Sequence, residues 1–272
     1  MTQVLDHNAL HAYLQEKGLC GTQPLTMSTL SGGQSNPTYC IQSGTTQFVL
    51  RKQPPGQLLV GAHAVDREYR VMKALQDSDV PVPRMLDYCD DSSLLGTPFY
   101  VMEFLQGRVI MDQSLPGMST SERGEIYAEM CRVLAALHRV DYTRVGLETF
   151  GKPNNYFQRQ IDRWSKQCRA STLPLGESLV RLMEWLPQHI PAAEETSIVH
   201  GDYRLDNLVF HPTQPRVIGV LDWELSTLGH PLADLSYQCM SWHVQPTLWR
   251  GIAGLDLVNL GLPTEQAYVR QY

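Results

Sequence analysis

The segment Ile198-Val-His-Gly-Asp-Tyr-Arg-Leu-Asp-Asn-Leu-Val-Phe210 carries the side chains best suited to chemistry. An apolar, strand-like run ends at His200, a polar loop follows, and an apolar run resumes at Leu208. Polar groups between two buried runs are displayed together in one place. Asp202 and Asn207 stand five residues apart, and the next apolar run, Val217 to Leu221, ends in Asp222. A hairpin through His211-Pro-Thr-Gln-Pro215 would bring Asp222 back beside Asn207. Two carboxylates and an amide on such a platform are hard oxygen donors of the kind Mg²⁺ takes together with phosphate oxygens. Asp202 is then free to orient an alcohol and accept its proton. Phosphoryl transfer asks for little beyond such positioning and charge neutralisation. A lone Asp-x4-Asn would read as a turn cap. The joint pattern of His200, Gly201, Asp202, Asn207 and Asp222, with apolar runs between them, points to a site.

The first hundred residues must supply the other half of such a site. Gln47-Phe-Val-Leu-Arg51 alternates and is rich in β-formers, which predicts a strand ended by Pro54-Pro-Gly56. Arg51, at the end of that strand, is the candidate cation for a nucleotide phosphate; Lys52 should point to the opposite face. Val65, Tyr69, Met72 and Leu75 recur at the spacing of a helix face, predicting a helix from His63 to Gln76. Glu68 lies on or beside that face, where it needs a counter-ion unless it reaches solvent. Gly32 and Gly33, ahead of the strand, could let backbone amides approach phosphates; a plain hairpin turn fits equally well. Phe99 to Phe104 reads as a second strand.

Beyond it the pattern turns helical. Ser119 and Glu122 form a capping-box signature. The periodic run Ile126, Met130, Val133, Leu134, Leu137 predicts a long helix to about His138, itself read as a packing or capping residue. Further helices are expected over 155–168 and 176–189, and after the hairpin the remainder reads as helical. Trp223, Trp242 and Trp249 could line a pocket, with core packing the plainer reading. The division is a β-rich lobe, residues 1–105, and a mainly helical lobe, residues 106–272, joined near Gln106-Gly107 with a cleft suited to a ligand.

The offsets of Asp202, Asn207 and Asp222 resemble the protein-kinase catalytic loop, with Gly201 where protein kinases carry Arg. His200-Gly-Asp202 followed by Leu221-Asp-Trp-Glu224 is similar to the aminoglycoside phosphotransferase and choline kinase superfamily. The resemblance implies an α+β, protein-kinase-like fold in two lobes: a small antiparallel sheet with one key helix, then a larger helical lobe, with nucleotide between them. It implies ATP and Mg²⁺ as cofactors, Asp202 as catalytic base, and Asn207 and Asp222 as magnesium ligands. Arg51 takes the place of the kinase phosphate-binding Lys, a departure common in this superfamily, and Glu68 resembles its helix partner. Met102-Glu-Phe-Leu105 takes the place of the hinge, whose backbone groups at Glu103 and Leu105 would bind adenine. Asp234, in Gly229-His-Pro-Leu-Ala-Asp234, would brace the catalytic loop through hydrogen bonds.

The resemblance runs from about Gly32 to at least Trp242. Phe48-Val-Leu-Arg-Lys-Gln-Pro-Pro-Gly56, Gly96-Thr-Pro-Phe-Tyr-Val-Met-Glu103 and Val220-Leu-Asp-Trp-Glu-Leu-Ser-Thr-Leu-Gly229 are similar to one branch of it. That branch holds candidate bacterial aminoglycoside phosphotransferases and the kinase-like domains fused to some acyl-CoA dehydrogenases. For the fused domains it implies phosphorylation of hydroxyacyl-CoA compounds, which casts doubt on antibiotic resistance as the natural role. Relatives continue with several more helices, so Thr264 to Tyr272 reads as a helix cut short.

Composition excludes other classes. Across 272 residues the net charge is −6 with no basic block, which argues against nucleic acid as a partner. No apolar run approaches the roughly 18 residues of a membrane span, and the first residues lack a signal-peptide pattern, so a cytoplasmic protein is expected. The six cysteines are scattered without a CxxC pair and read as reduced, buried thiols rather than zinc ligands or disulfides. The reading is therefore an ATP-dependent kinase acting on a small-molecule hydroxyl, with the acceptor and the oligomeric state left open. The alternative is a non-catalytic nucleotide-binding pseudokinase, which often loses one of Asp202, Asn207 and Asp222. A metal-dependent hydrolase would need more carboxylate or His ligands than these.

Overall fold

The computed structural model describes residues 6–30, 36–56 and 63–272; the predicted glycine pair, Gly32 and Gly33, lies outside them. The first part of the chain forms α1 (His7–Glu16), β1 (Leu25–Thr29), β2 (Thr38–Ser43), β3 (Thr46–Lys52), α2 (Val65–Leu75), β4 (Met85–Cys89), α3 (Ser92–Leu95), β5 (Phe99–Glu103) and β6 (Arg108–Val109). Then come α4 (Thr120–Arg139), α5 (Tyr156–Arg169), α6 (Glu177–Trp185), β7 (Ser197–Val199), β8 (Leu208–Phe210), β9 (Val217–Val220), β10 (Thr227–Gly229), α7 (Leu232–Cys239), α8 (Leu257–Leu260) and α9 (Glu265–Gln271). Strands β1 to β5 make one antiparallel sheet in the order β1-β2-β3-β5-β4. The architecture is α+β.

Period-two alternation along the central strand β3 decides what faces what. Phe48 and Leu50 pack with Leu10, Leu14, Phe99 and Val101 under α1. Val49 belongs to the main core, which continues through α2 and α4. The same alternation sends Lys52 to the α1 side, where Nζ donates to the Leu95 carbonyl at 2.7 Å, and leaves Arg51 on the side of α2. Asp6 starts α1 by accepting from the amides of Asn8 and Ala9, both at 3.0 Å, a helix absent from the sequence reading because its apolar face is only Leu10 and Leu14.

Helix α4 carries Ile126, Tyr127, Met130, Cys131, Val133, Leu134 and Leu137 into the core. Only half of its capping box forms. Ser119 accepts from the Glu122 amide at 3.2 Å, but the Glu122 carboxylate turns away to Arg108 at 2.9 Å. The predicted helix over 176–189 ends at Trp185 and tightens into a 3-10 turn, because Pro187 supplies no amide hydrogen. The stretch after Leu221 is also less helical than expected. Thr227–Gly229 pairs antiparallel with β7, and 243–256 is irregular, interrupted by Pro246, Gly251 and Gly254. Of the cysteines, all are free, and Cys20, Cys40 and Cys168 are only half-buried. Among the described residues no helix is long and apolar enough to cross a membrane.

Leu134 is fully buried and Glu122 is part-exposed. Leu134→Ala is expected to cost about 2–5 kcal/mol in urea denaturation, and Glu122→Ala less than about 1 kcal/mol beyond helix propensity.

Candidate active site

Arg51 joins the two halves. Its Nε stands 2.9 Å from Glu68 Oε2, and its Nη2 donates to Asp222 Oδ1 at 2.9 Å. The Glu68 contact is an ion pair whose Nε hydrogen is not aimed at the oxygen. Glu68 is held in turn by the Tyr100 hydroxyl at 3.0 Å and the Asn36 amide at 2.7 Å. Burial raises the Glu68 pKa, opposed by the Arg51 charge and by the Tyr100 and Asn36 hydrogen bonds. Burial also works against the guanidinium, but Tyr100, Glu68 and Asp222 outweigh it and keep Arg51 charged. The predicted pair Arg51–Glu68 is thus formed, and it is bonded to the predicted metal ligand Asp222 as well.

The polar loop is fixed from behind. Both oxygens of Asp234 on α7 accept backbone hydrogen bonds, from His200 at 2.6 Å and Gly201 at 2.8 Å. His200 is buried; its Nε2 donates to the Leu221 carbonyl at 2.9 Å while Nδ1 accepts from the Asp202 amide at 3.2 Å. That pattern selects the neutral Nε2–H tautomer. Gly201 has φ +82°, and a Cβ there would fall 2.7 Å from the Leu225 carbonyl oxygen. The arginine of protein kinases therefore has no room at this position.

The hairpin β8–β9 forms as predicted, with Leu208 opposite Val220. The Leu221 amide donates to the Asn207 carbonyl at 2.8 Å, which sets Asp222 beside Asn207. Asp222 adopts the left-handed region, φ +64° and ψ +59°, rare for a residue with a side chain. Asn207 gives Nδ2 to the Asp202 carbonyl and to Asp202 Oδ2, both at 2.9 Å, so its Oδ1 faces elsewhere as an acceptor. Among the described residues no three His, Cys, Asp or Glu side chains form a metal cage. Asn207 Oδ1 and the part-exposed Asp222 carboxylate are two hard oxygens on a shared edge, a donor set that fits Mg²⁺ completed by phosphate and water.

At the predicted hinge, the Glu103 amide donates to the Arg84 carbonyl at 2.9 Å, so only its carbonyl is left for a ligand. The Leu105 amide has no backbone partner among the described residues. The Glu103 side chain accepts from the Arg84 amide at 3.2 Å.

The model of the phosphotransferase enzyme family, APH, matches residues 26–256. The chain belongs to that family. It is 47% identical over 276 residues to acyl-CoA dehydrogenase family member 10 of Mus musculus, covering 100% of this chain and 26% of that protein. A crystal structure of a candidate aminoglycoside phosphotransferase from Ralstonia eutropha JMP134 superposes with TM-score 0.91 at 53% identity, covering 99% of this chain and 80% of the other. The streptomycin–ATP complex of APH(2″)-IIa shares the fold at TM-score 0.59 and 16% identity, over 85% of this chain and 74% of that one. These neighbours make the fold protein-kinase-like. The chain spans 26% to 35% of the length of the curated relatives it matches.

Several residues bonded to this loop carry no signal of their own in the sequence. Tyr237 donates to Asp202 Oδ1 at 2.7 Å, and burial, then the bonded Asp202, raises its hydroxyl pKa. Arg204 binds Asp202 Oδ2 and Asp206 Oδ2, both at 2.9 Å, and Arg250 also pairs with Asp206. His138 is more than a helix cap: Nε2 donates to Asp234 Oδ2 at 3.2 Å, and Nδ1 accepts from the Tyr272 hydroxyl at 2.6 Å. Arg204 lies inside the motif, and Tyr237 follows Asp234 by one helical turn; spacing alone was the available signal. Of the tryptophans, Trp223 is buried against His200 and Trp242 packs on Tyr127, whereas Trp249 is 45% exposed, so of the two readings core packing holds for the first two and not for Trp249.

Gly201→Ala is expected to lower stability by about 1–3 kcal/mol in urea denaturation, through the positive φ and the Leu225 contact.

Proposed function

We propose that the chain is an ATP-dependent phosphotransferase that moves the γ-phosphoryl group to a hydroxyl of a small molecule. The observation that carries the reading is the bonded chain Glu68–Arg51–Asp222 meeting the hairpin that also presents Asn207 and Asp202. Arg51 binds the nucleotide phosphates and Glu68 fixes its direction. The Glu103 carbonyl and Leu105 amide receive adenine. Asn207 Oδ1 and Asp222 hold Mg²⁺, which when bound neutralises phosphate charge.

The carboxylate of Asp202 has room for the acceptor hydroxyl. A carboxylate offers about four acceptor sites. Oδ2 of Asp202 takes Arg204 and Asn207, and Oδ1 takes Tyr237. The remaining site, on Oδ1, receives the alcohol. Asp202 orients that hydroxyl in line with the phosphorus and accepts its proton as the new P–O bond forms. The mouse relative's name, acyl-CoA dehydrogenase family member 10, supports a hydroxyacyl-CoA acceptor over an aminoglycoside. Intact Asp202, Asn207 and Asp222 support catalysis over a pseudokinase.

Asp202→Ala is expected to reduce transfer by about 10²–10⁴-fold while calorimetry still records ADP binding; full turnover in the variant refutes the assignment. ATP consumption screened against aminoglycosides, choline-like alcohols and hydroxyacyl-CoAs identifies the acceptor class.

A further inference from the structure

Glu68 is 1% exposed, and both hydrogen-bond donors that hold its carboxylate, Tyr100 and Asn36, come from outside α2. Tyr100 is fixed by its place in the sheet. Asn36 stands on an irregular stretch before β2, so its side chain must be held by something else. It is fully buried, and its Nδ2 is committed to Glu68 Oε1 at 2.7 Å. Its Oδ1 is then an acceptor out of reach of water, and such an atom needs a donor. His63 meets it, with Nδ1 at 3.1 Å. Because Oδ1 can only accept, the hydrogen of this bond sits on Nδ1.

The backbone at His63 is shaped to the same end. Its φ of +60° is uncommon for a residue with a side chain, and such conformations persist where the surroundings over-determine them. His63 directly precedes Ala64, the N-cap of α2, which makes no side-chain cap bond. The His63 carbonyl accepts from the Val65 amide at 3.0 Å. The ring bond to Asn36 and this turn together fix where α2 begins, about one helical turn before Glu68. Asn36 is tied at its other end as well. Thr38 Oγ1 donates to the Asn36 carbonyl at 3.0 Å and accepts from Arg51 Nη1 at 3.4 Å. The contacts therefore close a circuit, Arg51–Glu68–Asn36–Thr38–Arg51, with His63 attached to it at Asn36.

Resting on the phosphotransferase reading above, we propose that His63 is a positioning residue for the nucleotide: its Nδ1–H orients the amide of Asn36, Asn36 aims Glu68, and Glu68 holds the Arg51 guanidinium toward the phosphates. Without the Nδ1 donor, the Asn36 oxygen is buried with no partner. The amide then turns to find one, and Glu68 loses a donor that keeps its carboxylate on Arg51.

Substitutions at this one position separate the donor from the shape. Asparagine places an amide N–H near the Nδ1 position and tolerates positive φ. Aspartate keeps that shape but offers only acceptors. Glycine has no side chain and takes the observed φ without strain. Each variant is titrated calorimetrically with AMP-PNP and Mg²⁺, and exchange of the buried Arg51 Nε–H with water is followed by NMR. His63→Asn is expected to keep the parent affinity and exchange rate. His63→Gly should weaken AMP-PNP binding by about threefold to tenfold, the worth of one hydrogen bond, and speed the exchange by about tenfold. Its melting temperature should be no lower than the parent's, which separates lost positioning from lost folding. His63→Asp should lose at least as much affinity as His63→Gly. Unchanged affinity in His63→Gly and His63→Asp, or an equal loss in His63→Asn, would overturn the assignment. So would ring nitrogen shifts that place the proton of the parent His63 on Nε2 alone. Failure of the nucleotide reading looks different: the parent protein binds no AMP-PNP, while Arg51 exchange still sets His63→Asn apart from the other two variants. If exchange does not set it apart, the proposal fails as well.

Discussion

Arg51 is 7% exposed and cannot be left without partners. A buried guanidinium is costly unless carboxylates surround it, and the chain supplies them from two distant places, Glu68 on α2 and Asp222 after β9. Much of the sheet follows from that need. β3 must end with the correct residue on the α2 face, and β2 must stay long enough for Thr38 to meet Arg51 in the ladder. Tyr100 on β5, opposite Arg51, supplies the hydroxyl that holds Glu68. One charge thereby fixes the sheet, the helix and the hairpin relative to one another.

A second constraint lies behind the polar loop. Backbone amides of a tight loop near a core need acceptors, and Asp234 serves two of them at once. Asp234 is itself 1% exposed and depends on His138, which in turn meets Tyr272. The position of Asp202 is thus set by residues on α4, α7 and the end of α9 as well as by its own loop. The left-handed conformation at Asp222 and the positive φ at Gly201 lie where these two constraints meet, as expected where local preference yields to geometry imposed by tertiary contacts.

The sequence made the frame of this site legible and left its neighbours hidden. Asp202, Asn207, Asp222, Arg51 and Glu68 were readable because each sits at a fixed offset within or beside a periodic element. The structure forms two bonded groups from these five, Glu68–Arg51–Asp222 and Asn207–Asp202, set side by side by the backbone bond from the Leu221 amide to the Asn207 carbonyl. Tyr237, Arg250 and His138 were not readable as members of this network. Each reaches the network through tertiary folding from α4, α7 or an irregular loop, and each has an ordinary role available in local context. Irregular backbone explains the misread stretch after Leu221: proline and glycine interrupt it, and its amides are satisfied by distant carbonyls, such as Ile252 by Ser241. No periodicity records such bonds.

The division of donors around Asp202 separates the two tasks of the proposed reaction. Oδ2 is occupied by Arg204 and Asn207, groups of its own loop. Among the described residues Oδ1 is met only by Tyr237, from α7. The Arg51 end of the network therefore rests on hairpin and sheet, while Oδ1 of Asp202 faces α7. The interaction that joins the lobes, Glu68–Arg51–Asp222, shares no side chain with the donors held by Asp202, so a change in one set leaves the bonds of the other in place.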